Sequence, residues 1–230
     1  MVIWVKYIRK MKIPNYDPDF SATTDYKQGN PCMPADVFRM LICGPSNSGK
    51  TNILLHMIYK LLVFDKVYLF SKKVHQNKYH ALLQDFASNL DPVAGYEVIE
   101  APGDEIIPLE ELPVDNQKIV LFDALVCESN QNSIINYFIN GRHRNWSVIY
   151  LTQTFYKVPK NIRDNCSNFC VFSFLPRENK RIADELGIDH RLLDRATDKK
   201  YSFFYYDKPQ KSVKKTSTKI YRNGLHQLFA

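Results

Sequence analysis

Glycine is scarce in this chain, eight residues in 230, and no apolar run approaches the roughly 20 residues needed to cross a bilayer. Five cysteines form no even set and no C-x-x-C, which excludes a disulfide framework and a thioredoxin-like redox pair. Cys43 and Cys127 sit in or near apolar segments, the pattern of free thiols in a reducing, intracellular compartment. Cys166 and Cys170 have no histidine nearby in sequence and make a poor zinc site. The opening Met1–Lys10 is apolar but broken by Lys6 and has no cleavage site, so no secretory leader is expected. No internal repeat is visible. No Asn-Lys-x-Asp follows a suitable strand, which argues against a GTPase switch.

Acidic residues are missing from both ends. Residues 1–12 carry four basic residues and 208–230 carry six, with no Asp or Glu in either. The formal net charge of +7 therefore comes from the termini, while 13–207 holds 21 basic and 24 acidic residues, a net −3. Basic arms on a near-neutral core suit contact with a polyanion such as nucleic acid. Charge alone supports equally a solvated tail whose lysines only aid solubility.

What is present is sharper. Two of the few glycines fall within Gly44-Pro45-Ser46-Asn47-Ser48-Gly49-Lys50-Thr51, which fits G-x-x-x-x-G-K-[ST]. An apolar stretch, Val37–Cys43, precedes it as an expected buried strand. Leu54, Leu55, Ile58, Leu61 and Leu62 follow at helical spacing. Strand, loop and helix make the octet a phosphate cradle: the glycines let successive N–H groups turn inward, and the helix N-terminus adds positive potential. Lys50 is expected at the β- and γ-phosphates of a nucleoside triphosphate, and Thr51 at Mg²⁺.

Apolar strands are expected near 37–43, 66–71, 118–122, 147–152, 168–174 and 201–207, with a further short one near 96–100. Helices are expected near 50–63, 75–87, 128–140, 160–165 and 178–187. Strand-helix alternation with nearly continuous apolar strands predicts an α/β fold with a mostly parallel sheet covered on both faces. The organisation read from composition is an N-terminal arm over 1–36, one domain over 37–207 and a basic tail over 208–230.

Lys118-Ile-Val-Leu-Phe-Asp123 has the form of a Walker B strand, with Asp123 emerging beside the phosphate loop to hold Mg²⁺. The adjacent position, where a general base commonly follows, is Ala124. Glu128 is the next acid and the candidate base, or else an acidic residue suited to a helix N-terminus. Ser147–Gln153 reads as a buried strand whose terminal amide, Gln153, is placed to sense the γ-phosphate or to cap a turn. Arg142, Arg144 and Arg163 are candidates for DNA contact or for an arginine finger into a neighbour's site, and each also fits an ordinary surface residue. Tyr201–Tyr206 resembles a base-stacking run, but a buried final strand explains it better.

Taken in order, the phosphate loop, Asp123-x-Leu-Val-x-Glu128, Gly141-Arg-His-Arg-Asn-Trp-Ser-Val-Ile-Tyr-Leu-Thr-Gln153 and Val158-Pro-Lys-Asn-Ile-Arg-Asp-Asn165 resemble one group. That group is the viral genome-packaging ATPases of the FtsK/HerA type, the poxvirus-like set of large DNA viruses, virophages and Polinton elements. The resemblance spans roughly 36–175. It implies a RecA-like P-loop core, assembly into a homo-oligomeric ring, and ATP-driven movement of double-stranded DNA into a preformed capsid through portal-vertex proteins. It implies a site in the host cytoplasm, at a viral factory, or in the virion. By the same resemblance Lys50 and Thr51 match the Walker A residues, Asp123 the Walker B aspartate and Gln153 the sensor. Glu128 matches an acid found after Walker B in some relatives, while Ala124 departs from the paired acids common in the group. Two other classes are consistent with the phosphate loop: a small nucleotide kinase with Arg177 and Arg181 in a lid, and a nucleotide-gated module that scarcely hydrolyses.

Overall fold

Each parallel strand is short, apolar and closed by a turn toward a helix, and the chain winds accordingly. The computed structural model describes residues 33, 34, 36–71, 79, 97–102, 106–113, 117–127, 131–208 and 219–221. Most of both expected arms, Glu128, and the helix expected at 75–87 lie outside these residues, except that Tyr79 is described and helical. The strands are β1 Arg39–Cys43, β2 Lys66–Ser71, β3 Glu97–Pro102, β4 Lys118–Asp123, β5 Trp146–Thr152, β6 Asn168–Phe172, β7 Phe203–Asp207 and β8 Lys219–Tyr221. The described helices are α1 Lys50–Lys60, α2 Gln131–Asn140, α3 Lys160–Asn165, α4 Pro176–Leu186 and α5 His190–Ala196.

One sheet contains all eight strands in the order β3-β2-β4-β5-β1-β6-β7-β8. The first six run parallel, and β7 and β8 add antiparallel at one edge. Its two faces are both covered, as the unbroken apolar strands require. On one, Met40 and Ile42 meet Ile53, Leu54, Met57 and Ile58 of α1. On the other, Leu41 and Cys43 join Ile134, Tyr137 and Phe138 of α2, Ile162 of α3, Ile182 and Ala183 of α4, and Leu193 of α5. Strands β4 and β5 are buried along their whole length. Each large apolar side chain removed from water there contributes about 1.5–3 kcal/mol. This sandwich is what gives the loops at the strand ends a rigid base.

Four details differ from the sequence expectation. Strand β6 stops at Phe172, because Ser173–Leu175 turn into α4, which starts on Pro176 at its first position. Strand β7 starts at Phe203 and not at 201, because Tyr201 sits in a turn with φ 67°. Helix α5 was not anticipated, although Asp189 caps it by accepting from Arg191 N–H. Finally, β8 lies within the stretch read as a tail and pairs with β7.

Candidate nucleotide site

The C-terminal ends of the parallel strands form one edge, where open α/β sheets bind their ligands. The octet Gly44–Thr51 spans from the end of β1 to α1 at the middle of this edge. Gly44 is pressed against β6: a Cβ there would lie 2.5 Å from Phe172 Cβ. Asn47 (φ 62°) and Gly49 (φ 107°) take left-handed backbone, which curls the loop. Pro45 and Ser46 are exposed at its crown. Gly49 caps α1 without any side-chain hydrogen bond, and the first helical turn holds no acid. The first N–H groups of α1 are thus left to an anion.

Lys50 Nζ arches back over the loop and donates to the carbonyls of Gly44 and Pro45, both at 2.7 Å. Burial draws its proton affinity below the usual lysine range, and the Asp123 carboxylate opposes that shift. Asp123 closes β4 and is buried, 9% exposed. Tyr79, fully buried, donates from its phenol to Asp123 Oδ2 at 2.8 Å. Burial first, and then the neighbouring carboxylate, hold that phenol far above its ordinary range, so it stays a donor. Thr51 makes a side-chain hydrogen bond to the same phenol. One hydroxyl therefore links the two residues expected at Mg²⁺. A threonine hydroxyl and a carboxylate converging on one point are hard oxygen donors, and they fit that ion.

Strand β5 lies between β1 and β4 and joins the two halves. Gly44 N–H donates to Thr152 O at 3.2 Å, and Ala124 N–H donates to Leu151 O at 3.3 Å. Gln153 follows, exposed at the same edge. Ala124 turns the chain away after Asp123 with φ 59°, a conformation that costs a non-glycine residue about 1 kcal/mol.

The arginines separate by environment. Arg163 turns inward: its Nε pairs with Glu185 Oε1 at 2.7 Å, its Nη1 donates to Val158 O at 2.6 Å, and its guanidinium covers Phe155 and Tyr156. It is committed within its own chain. Arg144 holds the carbonyls of Leu109 and Leu112 at 2.9 and 3.0 Å. Arg142 is exposed in the short turn Gly141–Arg144 that precedes β5, at the sheet edge opposite the phosphate loop.

Residues 31–193 match the poxvirus A32 protein family. The chain belongs to that family. Among its relatives, the DNA packaging protein OPG160 of Monkeypox virus is 29% identical over 146 residues, which cover 59% of this chain and 48% of that one. The Vaccinia virus (strain Copenhagen) counterpart gives the same identity over 59% of this chain and 53% of its own length. The chain spans about half the length of the curated relatives it matches. Among solved structures, B204, the DNA-packaging ATPase from Sulfolobus turreted icosahedral virus, superimposes with a TM-score of 0.52 at 16% identity. That match covers 77% of this chain and 95% of B204. The A32-family chain thus has the mostly parallel P-loop NTPase fold expected from its motifs. Among its described residues no helix is long and apolar enough to cross a membrane.

Tyr79 was not singled out from sequence. It stands in a segment read only as a helix, and nothing local shows that its hydroxyl reaches residues 28 and 44 positions away.

Proposed function

We propose that this A32-family chain is the ATPase of a viral genome-packaging motor. It binds ATP at Gly44–Thr51 and couples hydrolysis to movement of double-stranded DNA. The observation that carries the reading is the edge order of the sheet: phosphate loop on β1, Gln153 on β5 and Asp123 on β4, side by side. In this reading the loop N–H groups and Lys50 bind the phosphates, and Thr51 and Asp123 would hold Mg²⁺, which would supply charge neutralisation to the phosphates. Gln153 faces the γ-phosphate end, and Glu128 accepts the proton of the attacking water.

Subunits act as a homo-oligomeric ring at a capsid portal vertex. Because Arg163 is consumed by Glu185 and backbone carbonyls, the finger into a neighbour's site falls to exposed Arg142. The basic ends and loops grip the DNA backbone without reading sequence. Support for a motor over a nucleotide kinase comes from family membership and from the names of the relatives.

The test is steady-state ATP hydrolysis with and without long double-stranded DNA at two salt concentrations. Stimulation by DNA that fades as salt rises is expected, with Lys50→Ala inactive and Glu128→Gln binding ATP without turnover. Robust hydrolysis indifferent to DNA would overturn the motor. No hydrolysis with intact ATP binding would favour a nucleotide-gated module, the reading that Ala124 at the usual position of a second acid invites.

A further inference from the structure

Beside the phosphate loop, on the side away from Asp123, lies a cavity of about 290 Å³. Asn47 and Ser48 of the loop form one wall, Ser173 follows β6, and Asp198, Lys199 and Tyr201 come from the turn between α5 and β7. Tyr201 is the unusual member. Its backbone is left-handed, φ 67°, a conformation that bulky residues avoid. The residue is 48% exposed, and its ring reaches Gly49: a Cβ there would lie 3.7 Å from Tyr201 Cδ1. Lys200 Nζ stands 4.8 Å from the ring centroid. The aromatic residues that follow, Phe203 to Tyr206, are all buried in β7, so Tyr201 alone of that run is presented to solvent.

The left-handed backbone costs free energy and the exposed ring recovers little of it by burial, so the two together at a ligand edge point to a function. The order of the strand ends supplies direction. Asp123 and Gln153 stand on β4 and β5, the loop on β1, and the cavity beyond it, beside β6 and β7. From β4 to β6 is three strand spacings, about 14 Å in all. A nucleoside triphosphate with its terminal phosphate toward β4 has its other end over β6 and β7.

We infer that this cavity receives the purine base of the nucleotide, stacked on the Tyr201 ring. The inference rests on the reading of Gly44–Thr51 as a triphosphate site and adds the part of the ligand which that loop does not touch. Stacking on an aromatic side chain recognises the flat face of a base and is lost when the ring is removed.

The experiment measures affinities of AMPPNP and of inorganic tripolyphosphate, with Tm, for wild type, Tyr201→Gly and Tyr201→Phe. Glycine adopts φ 67° freely, so Tyr201→Gly removes the ring without burdening the backbone. Expected is a loss of AMPPNP affinity of about tenfold or more in Tyr201→Gly, tripolyphosphate affinity within about twofold of wild type, and near-wild-type binding in Tyr201→Phe. Unchanged AMPPNP affinity, or equal loss for both ligands, overturns the base site, while wild-type binding of both ligands keeps the triphosphate reading standing in either case. If wild type binds neither ligand, the triphosphate reading fails and takes the base site with it.

Discussion

Tyr79 shows how one hydroxyl can set two side chains at once. Its phenol donates to Asp123 and shares a hydrogen bond with Thr51, so it fixes the carboxylate and the hydroxyl relative to each other inside a buried site. Outer partners of this kind orient ligands, and their removal commonly lowers metal affinity or activity 10- to 100-fold. Tyr79→Phe keeps the ring and its packing and deletes only the bridge. We expect the Mg²⁺ concentration that supports half-maximal tight ATP binding to rise about tenfold. Affinity for ATP in the presence of a chelator should stay near wild type. A magnesium titration of ATP binding checks this, and an unchanged midpoint would show that Asp123 needs no such support.

At the scale of elements, the phosphate loop depends on β6 as much as on β1. Phe172 lies under both loop glycines, and its ring packs 5.5 Å from Phe203 of β7, so the antiparallel edge of the sheet props the loop. Gly44→Ala sets a methyl 2.5 Å from Phe172 Cβ, a contact that backbone or strand must yield to. The expected cost is about 1–3 kcal/mol of stability together with a loss of ATP binding, read by thermal unfolding with and without nucleotide.

The octet and its strand and helix were legible because they are contiguous: periodicity and glycine spacing lie within one window. Asp123 and Gln153 were legible as strand ends because fully apolar runs terminate at them. Tyr79 and the Tyr201 cavity were not, since each is made by residues brought together only by the sheet order. Tyr201 was hidden further by its neighbours. The buried run Phe203–Tyr206 is strand-like, and a single positive φ separates Tyr201 from it. Helix α5 carried a capping signal at Asp189, but seven residues give too few turns for the apolar period to stand out.

For the whole molecule, Arg163 and Arg142, two of the three arginines proposed from sequence, part ways. Arg163 is 11% exposed in its side chain and is satisfied by Glu185, two carbonyls and two aromatic faces, so its role is internal. Arg163→Ala should lower stability by about 1–3 kcal/mol, because it uncovers the faces of Phe155 and Tyr156 and leaves the Val158 carbonyl without its donor. Arg142→Ala should leave Tm unchanged and reduce hydrolysis at least 100-fold if it completes a neighbour's site. Mixing Arg142→Ala with Lys50→Ala subunits should then restore part of the turnover, because intact loops meet intact arginines across some contacts. No restoration, with each variant assembled normally, would remove Arg142 from that role.

Strand β5 bears on this in mechanical terms. Its last residues are hydrogen-bonded to the start of the phosphate loop and to the turn after Asp123, and Arg142 lies in the turn that leads into its first residue. An extended, buried run of seven residues is about 23 Å long and has almost no slack. A pull at Gln153 is therefore shared by β1, β4 and β5 together, because the ladders on both sides tie the strand to its neighbours, and no hinge along it absorbs the load.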